Sequence, residues 1–151
     1  MNFYIAHILD SSLDRISLYN VTDKNSSKKI LNSISDLEKI NDAESLLVLL
    51  PSSEVTSYAF NKNESLSDQI NIANFISDVD TNFIDSVSDN EYFLKNDAAF
   101  IVNKTFLANL NQHLSSLSCK VFVAPEYLIN FNEKSDVITE IDNKFMFSYK
   151  T

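Results

Sequence analysis

The stretch Glu44–Phe60, ESLLVLLPSSEVTSYAF, decides the fold. Apolar residues run unbroken from Leu46 to Leu50, the pattern of a strand buried on both faces. Pro51 ends the run, because a locked φ and a missing N–H suit a strand's exit and not its middle. Val55, Ser57 and Ala59 then alternate with Thr56, Tyr58 and Phe60, so a second strand leaves the bend. Pro51-Ser52-Ser53-Glu54 is therefore either a reactive loop on top of a strand or the corner between two strands. A nucleophilic serine needs a base. The two histidines are His7, inside the apolar run Asn2–Leu9, and His113, on the polar side of a helical pattern; each reads as a packed or solvent-facing residue. No G-x-S-x-G elbow can be written in a chain without glycine. The corner reading follows: Pro51 sets φ, and the serine hydroxyls are expected to bond nearby amides.

Working outward, Asn2–Leu9 has the length of a buried strand and Leu13–Val21 alternates at period two, so the two predict a hairpin around Asp10-Ser11-Ser12. The polar segment from Thr22 to about residue 32 reads as a loop, after which Ser35 caps a short helix carrying Asp36, Leu37 and Ile40. Leu66, Ile70, Ala73 and Ile76 fall at helical spacing behind Ser65 as N-cap. Asn90–Lys104 holds two short strands, and Thr105–Leu117 is an amphipathic helix through Phe106, Leu107, Leu110, Leu114 and Leu117. Lys120–Leu128 predicts a buried strand stopped by Pro125, and Val137–Lys150 a closing hairpin turned at Asp142-Asn143. Strands in pairs, each pair followed by a helix, define a mixed-sheet α/β or α+β domain.

Composition narrows the chemistry. The 151 residues are enough for one core, with room for a small inserted subdomain, and no stretch approaches the ~20 apolar residues of a membrane span. A soluble, cytoplasmic chain is the expectation. A formal net charge of −9 repels phosphate backbones and disfavours nucleic acid as a partner. The single cysteine, Cys119, forms no internal disulfide and reads as a half-buried structural thiol. The absence of glycine excludes a Walker A loop and a dinucleotide fingerprint by residue type, since both need a backbone that closes on phosphate. Asp78–Asp89, DVDTNFIDSVSD, nearly spells a calcium loop, yet Phe83 stands where the sharp turn needs glycine and Asp89 replaces the bidentate glutamate. The acidic residues read better as a solvated surface for a basic partner.

Three segments together resemble a known family: ESLLVLLPSSEVTSYAF with Pro51 and Val55, the helix running into the acidic stretch Asp78–Glu91, and the strand ending Ala124-Pro125-Glu126. Their order is similar to the N-terminal portion of the cytoplasmic domain of the type II secretion system protein L family. The resemblance implies an actin-like, RNase H-like fold: a mixed β-sheet with flanking helices, occupying residues 1–151 as one domain. It implies a non-enzymatic scaffold on the cytoplasmic side of the bacterial inner membrane, with the N-terminal domain of the secretion ATPase and other platform subunits as partners. It allows a homodimer and leaves membrane insertion to segments such as the family's transmembrane helix, so the chain is expected to be a fragment of a longer protein. The partner-contact residues it suggests are Asp78, Asp80, Asp85 and Asp89, with no catalytic, cofactor-binding or metal-ligating set. Actin-like ATPases hold nucleotide through a glycine-containing turn between their first two strands; the matching Asp10, Ser11, Ser12 and Asp14 lack that glycine. Two alternatives stand beside this reading: a degenerate nucleotide-binding protein similar to type IV pilus assembly protein M, and a freestanding acidic adaptor.

Overall fold

In the computed structural model, residues 2–22, 27–79, 86–95, 97–130, 137–142 and 144–148 are described. Two β-strands open the chain as the alternation predicts: β1 (Phe3–Ile8) and β2 (Ile16–Asn20) pair antiparallel, with Ala6 opposite Leu18 and His7 opposite Ser17. Their connection closes with the Leu9 amide donating to the Arg15 carbonyl at 3.0 Å. Within it Leu13 adopts φ 61°, a left-handed conformation that costs a branched residue about 1–2 kcal/mol. Leu13 is buried, and that burial offsets the strain where a glycine would have avoided it.

The segment expected as a loop through residue 32 contains a strand. β3 (Ser27–Leu31) pairs antiparallel with β2, Lys28 opposite Tyr19. It is an edge strand with four of its five residues exposed, so it carries no apolar alternation for a sequence reading to find. Lys28 and Lys29 on that edge oppose pairing with another chain. The short helix that follows is a 3₁₀ turn, Ile34–Lys39, and Ser33 is its N-cap where Ser35 was expected. Ile34 and Leu37 are its buried residues.

β4 (Ser45–Leu50) lies parallel to β1, Tyr4 opposite Leu46 and Ala6 opposite Val48, and β8 (Lys120–Pro125) lies parallel to β4. The sheet order is β3-β2-β1-β4-β8. Tyr4, Ala6 and Ile8 share one face with Ile16, Leu18, Leu46, Val48 and Leu50, all buried. At about 1.5–3 kcal/mol for each large apolar side chain, this face carries much of the stability. The opposite face carries Ile5, His7, Ser17, Tyr19, Leu47 and Leu49. β8 corrects the expectation of a buried strand. It is the second edge, with Phe122 47% and Val123 43% exposed, because an apolar run by itself does not distinguish a central strand from an edge.

Residues 1–53 with 110–151 form one compact unit, and 54–109 form another. The second is inserted in sequence between β4 and β8. Its sheet, in the order β5-β7-β6, is built from β5 (Val55–Ala59), β6 (Asn90–Lys95) and β7 (Ala98–Asn103). Helix α1 (Asp68–Val79) supplies Phe75 to its core, where the ring meets Phe60 edge-on at 5.4 Å and lies 5.8 Å from Tyr58 and 6.4 Å from Tyr92.

The buried face of α1 is turned from the one the spacing suggests: Asn71 and Phe75 are inside, and Ile70 is half exposed. Asn71 explains the shift. Its amide donates to the carbonyls of Asn63, Leu66 and Ser67, and its oxygen accepts from the Asn63 amide at 2.8 Å, tying the incoming loop to the helix. Ser67, not Ser65, supplies a hydroxyl to the first turn, accepting from Ile70 at 3.3 Å.

Helix α2 (Lys104–Leu114) starts where Asn103 accepts from the Phe106 amide at 3.0 Å, and it buries Phe106, Leu110 and Leu114 at i, i+4 and i+8. β9 (Val137–Ile141) and β10 (Lys144–Ser148) form the closing hairpin in the expected register, Ile141 opposite Lys144.

Candidate functional site

Polar groups interrupt the second face of the five-stranded sheet at one place. His7 and Ser17 are directly opposed across β1 and β2, and Tyr19 and Lys28 across β2 and β3, so the four side chains share that face. Two acids come to meet them. Glu126 follows β8 at the start of a 3₁₀ turn (Glu126–Asn130), and Asp142 occupies the turn of the β9–β10 hairpin at φ 49°, a conformation aspartate tolerates.

The ring of His7 is held from both sides. Nδ1 lies 2.6 Å from Asp142 Oδ2, and Nε2 lies 2.5 Å from Glu126 Oε2. The histidine side chain is fully buried, and the two carboxylates are only 3% and 4% exposed. A neutral imidazole has one N–H, so two hydrogen bonds to carboxyl groups require two protons on the three-membered set.

The outer oxygens are also engaged. Asp142 Oδ1 accepts from Ser17 Oγ at 2.8 Å and pairs with Lys28 Nζ, which also stands over the Tyr19 ring at 5.6 Å. Glu126 Oε1 accepts from both the amide of Ser52, at 2.8 Å, and its hydroxyl, at 2.7 Å.

Burial alone would raise the Asp142 carboxyl. The hydrogen bonds from Lys28, His7, Ser17 and Tyr19 outweigh that effect and hold it far below the usual carboxylate range. Tyr19 moves upward, through burial first and then its bond to the Asp142 carboxylate.

The corner at Pro51 is a turn, as expected, and β5 begins at Val55. Ser52, however, gives both its amide and its hydroxyl to a carboxylate 74 residues away, where the sequence pointed to a bond with nearby amides. His7 is the packed residue the sequence suggested, with two partners that no local pattern announces. The signal available was faint: His7 and Ser17 each interrupt an apolar strand, and a hairpin register that opposes them predicts a shared polar site on one face.

The first turn behaves differently. Asp10 Oδ1 takes the Ser12 amide at 3.1 Å and the Ser12 hydroxyl at 2.5 Å, so the donors at Ser12 face the chain's own aspartate. Glu126 and Asp142 approach opposite nitrogens of one ring and do not converge. Among the described residues no group of three His, Cys, Asp or Glu side chains is placed to hold a metal. Cys119 is a half-buried thiol. Of the acidic set, Asp78 lies in the last turn of α1 and Asp89 closes a 3₁₀ turn (Val87–Asp89). Asp80 and Asp85, and with them half of the calcium-like stretch, lie outside the described residues. No helix among the described residues is long and apolar enough to cross a membrane.

A five-stranded mixed sheet in the order 3-2-1-4-8, with a smaller sheet-and-helix unit inserted between its fourth and last strands, is an α/β fold of the actin-like, RNase H-like kind. The cytoplasmic domain of EpsL, an inner membrane component of the type II secretion system of Vibrio cholerae, has this fold. It superposes with a TM-score of 0.68 at 15% identity, over 99% of this chain and 71% of that one. The fold implied by the sequence resemblance is thereby met. A Bacteroides thetaiotaomicron protein of actin-like ATPase fold and unknown function is also similar, with a TM-score of 0.43 at 14% identity over 91% of this chain and 60% of that one. No protein-family model and no curated protein matches the sequence.

Proposed function

We propose that this chain is a non-enzymatic docking domain of a type II secretion system, working on the cytoplasmic side of the inner membrane as part of the platform that holds the secretion ATPase. The observation that carries the reading is the superposition on the EpsL cytoplasmic domain along nearly the whole chain. Two features of the chemistry agree with it. The turn between β1 and β2 gives its Ser12 donors to Asp10, and the polar groups at the ends of β1, β4 and β8 bind one another. Such an arrangement favours surface contact over turnover of a bound substrate.

The partner is the N-terminal domain of the secretion ATPase, and the acidic residues Asp78, Asp80, Asp85 and Asp89 are the contact set for a basic face on it. The test is a titration of the purified chain with that domain, repeated after reversing all four charges to lysine. A saturable complex that weakens at least about ten-fold on reversal, equivalent to ~1.4 kcal/mol, supports the reading. A complex indifferent to the reversal moves the dock elsewhere, and no complex refutes the proposed partner.

A further inference from the structure

We infer that the Pro51–Ser52 corner and His7 together form a carboxylate-binding cradle at the carboxyl ends of β1, β4 and β8, and that Glu126 is its resident ligand. This is independent of the secretion role. In α/β sheets the carboxyl ends of parallel strands are where ligands enter, because backbone groups and loops there are free to face a crevice. Here three strands deliver their terminal residues to that position: His7 near the end of β1, Ser52 just past β4, and Glu126 just past β8.

The donor set is that of an anion site. A backbone N–H and a hydroxyl converge on one oxygen of the carboxylate at 2.8 and 2.7 Å, and an imidazole nitrogen meets the other at 2.5 Å. A carboxylate with only 3% of its side chain exposed is buried at a desolvation cost that such donors offset. The cradle is not an accident of one rotamer, because His7 is oriented from behind by Asp142, which Ser17 and Lys28 orient in turn. Ser52 itself is exposed, so the cradle lies at the border of solvent, and removing the side chain of Glu126 leaves its donors without their carboxylate. The chain therefore closes its own strand ends with a covalently tethered carboxylate.

The test is chemical complementation in the full 151-residue chain. Glu126→Ala removes the carboxylate and leaves the donors, and formate supplies a carboxylate of matching size. Thermal unfolding is followed in sodium formate and in sodium chloride at equal ionic strength. The expected result is a saturable rise in the Tm of Glu126→Ala with formate, about three-fold or more that with chloride, and no such difference for the unaltered chain. Adding Ser52→Ala to the variant reduces the formate response. Equal responses to formate and chloride, or a formate response untouched by Ser52→Ala, overturn the inference. Should Glu126→Ala fail to fold, Glu126→Gln keeps the shape and removes the charge. The Ser52 amide proton resonance then moves upfield as its bond ceases to be charge-assisted, and an unmoved resonance overturns the inference equally.

Discussion

Replacing His7 by leucine is the most informative single change to the polar core. The ring is hydrogen-bonded at 2.5 and 2.6 Å to two carboxyl groups whose side chains are 3% and 4% exposed, so its loss strands both acids in the interior. Hydrogen bonds to charged groups contribute about 1.5–3 kcal/mol each, and removing one partner of a buried pair costs about 3–5 kcal/mol. Leucine recovers part of this by apolar burial, about 1.5–3 kcal/mol at most. A net loss of roughly 1.5–3 kcal/mol remains, which for a chain of this length lowers Tm by roughly 3–12 °C. The assay is urea unfolding read by far-ultraviolet circular dichroism and by tyrosine fluorescence, the chain having six tyrosines and no tryptophan. The midpoint should fall while the slope with urea stays constant. His113→Leu, a half-buried histidine on α2, is the control, with a change within about 0.5 kcal/mol. A loss for His7→Leu below about 1 kcal/mol, indistinguishable from the control, would refute the view that the two acids depend on this ring.

Further expectations follow from other parts of the molecule. Asp142 is held below the usual carboxylate range, so its contribution is fully present above its unfolded value of about 4 and is lost as the pH falls toward its folded value. Urea midpoints measured from pH 7 down to pH 3 should therefore decline, and Asp142→Asn should flatten that acid limb; an unchanged limb contradicts the assignment. Phe75→Ala removes the ring that touches Phe60, Tyr58 and Tyr92, and should cost about 3–5 kcal/mol by urea unfolding. Asn71→Ala removes one acceptor and three donated bonds at the entry to α1, and should cost about 2–4 kcal/mol at about 1 kcal/mol per bond. Hydrogen exchange should then show the amide of Asn63 among the first to lose protection.

Much of the architecture is legible in the amino-acid sequence because hydrophobic periodicity reports burial. The β1–β2 hairpin, β4, the Pro51 corner, α2 and the closing hairpin all follow from runs and alternations that have one physical solution each. The exceptions share a cause. β3 is an exposed edge whose sequence, SKKIL, has no apolar alternation, β8 is an apolar strand at an edge, and α1 turns its helix face inward at Asn71 because a loop needs that amide. In each, tertiary context supplies what local pattern does not.

The polar core is the extreme case. His7, Ser17, Ser52, Glu126 and Asp142 come from five separate stretches, and Glu126 and Asp142 sit 119 and 135 residues from the histidine they bind. Ala124-Pro125-Glu126 marks the family resemblance, but nothing local to it says that its acid turns inward to His7. Only a pairing register that opposes His7 and Ser17 hints that the second face of the sheet is not wholly apolar.

The proposed role requires the chain to meet a partner through its surface. The most direct measurement is a calorimetric titration of the 151-residue chain with the N-terminal domain of the secretion ATPase, with Mg²⁺-ATP injected as the comparison. Saturable binding of the protein domain, with no heat of binding from the nucleotide, is the expected result; nucleotide binding at micromolar concentration with no complex between the proteins would overturn the proposed role.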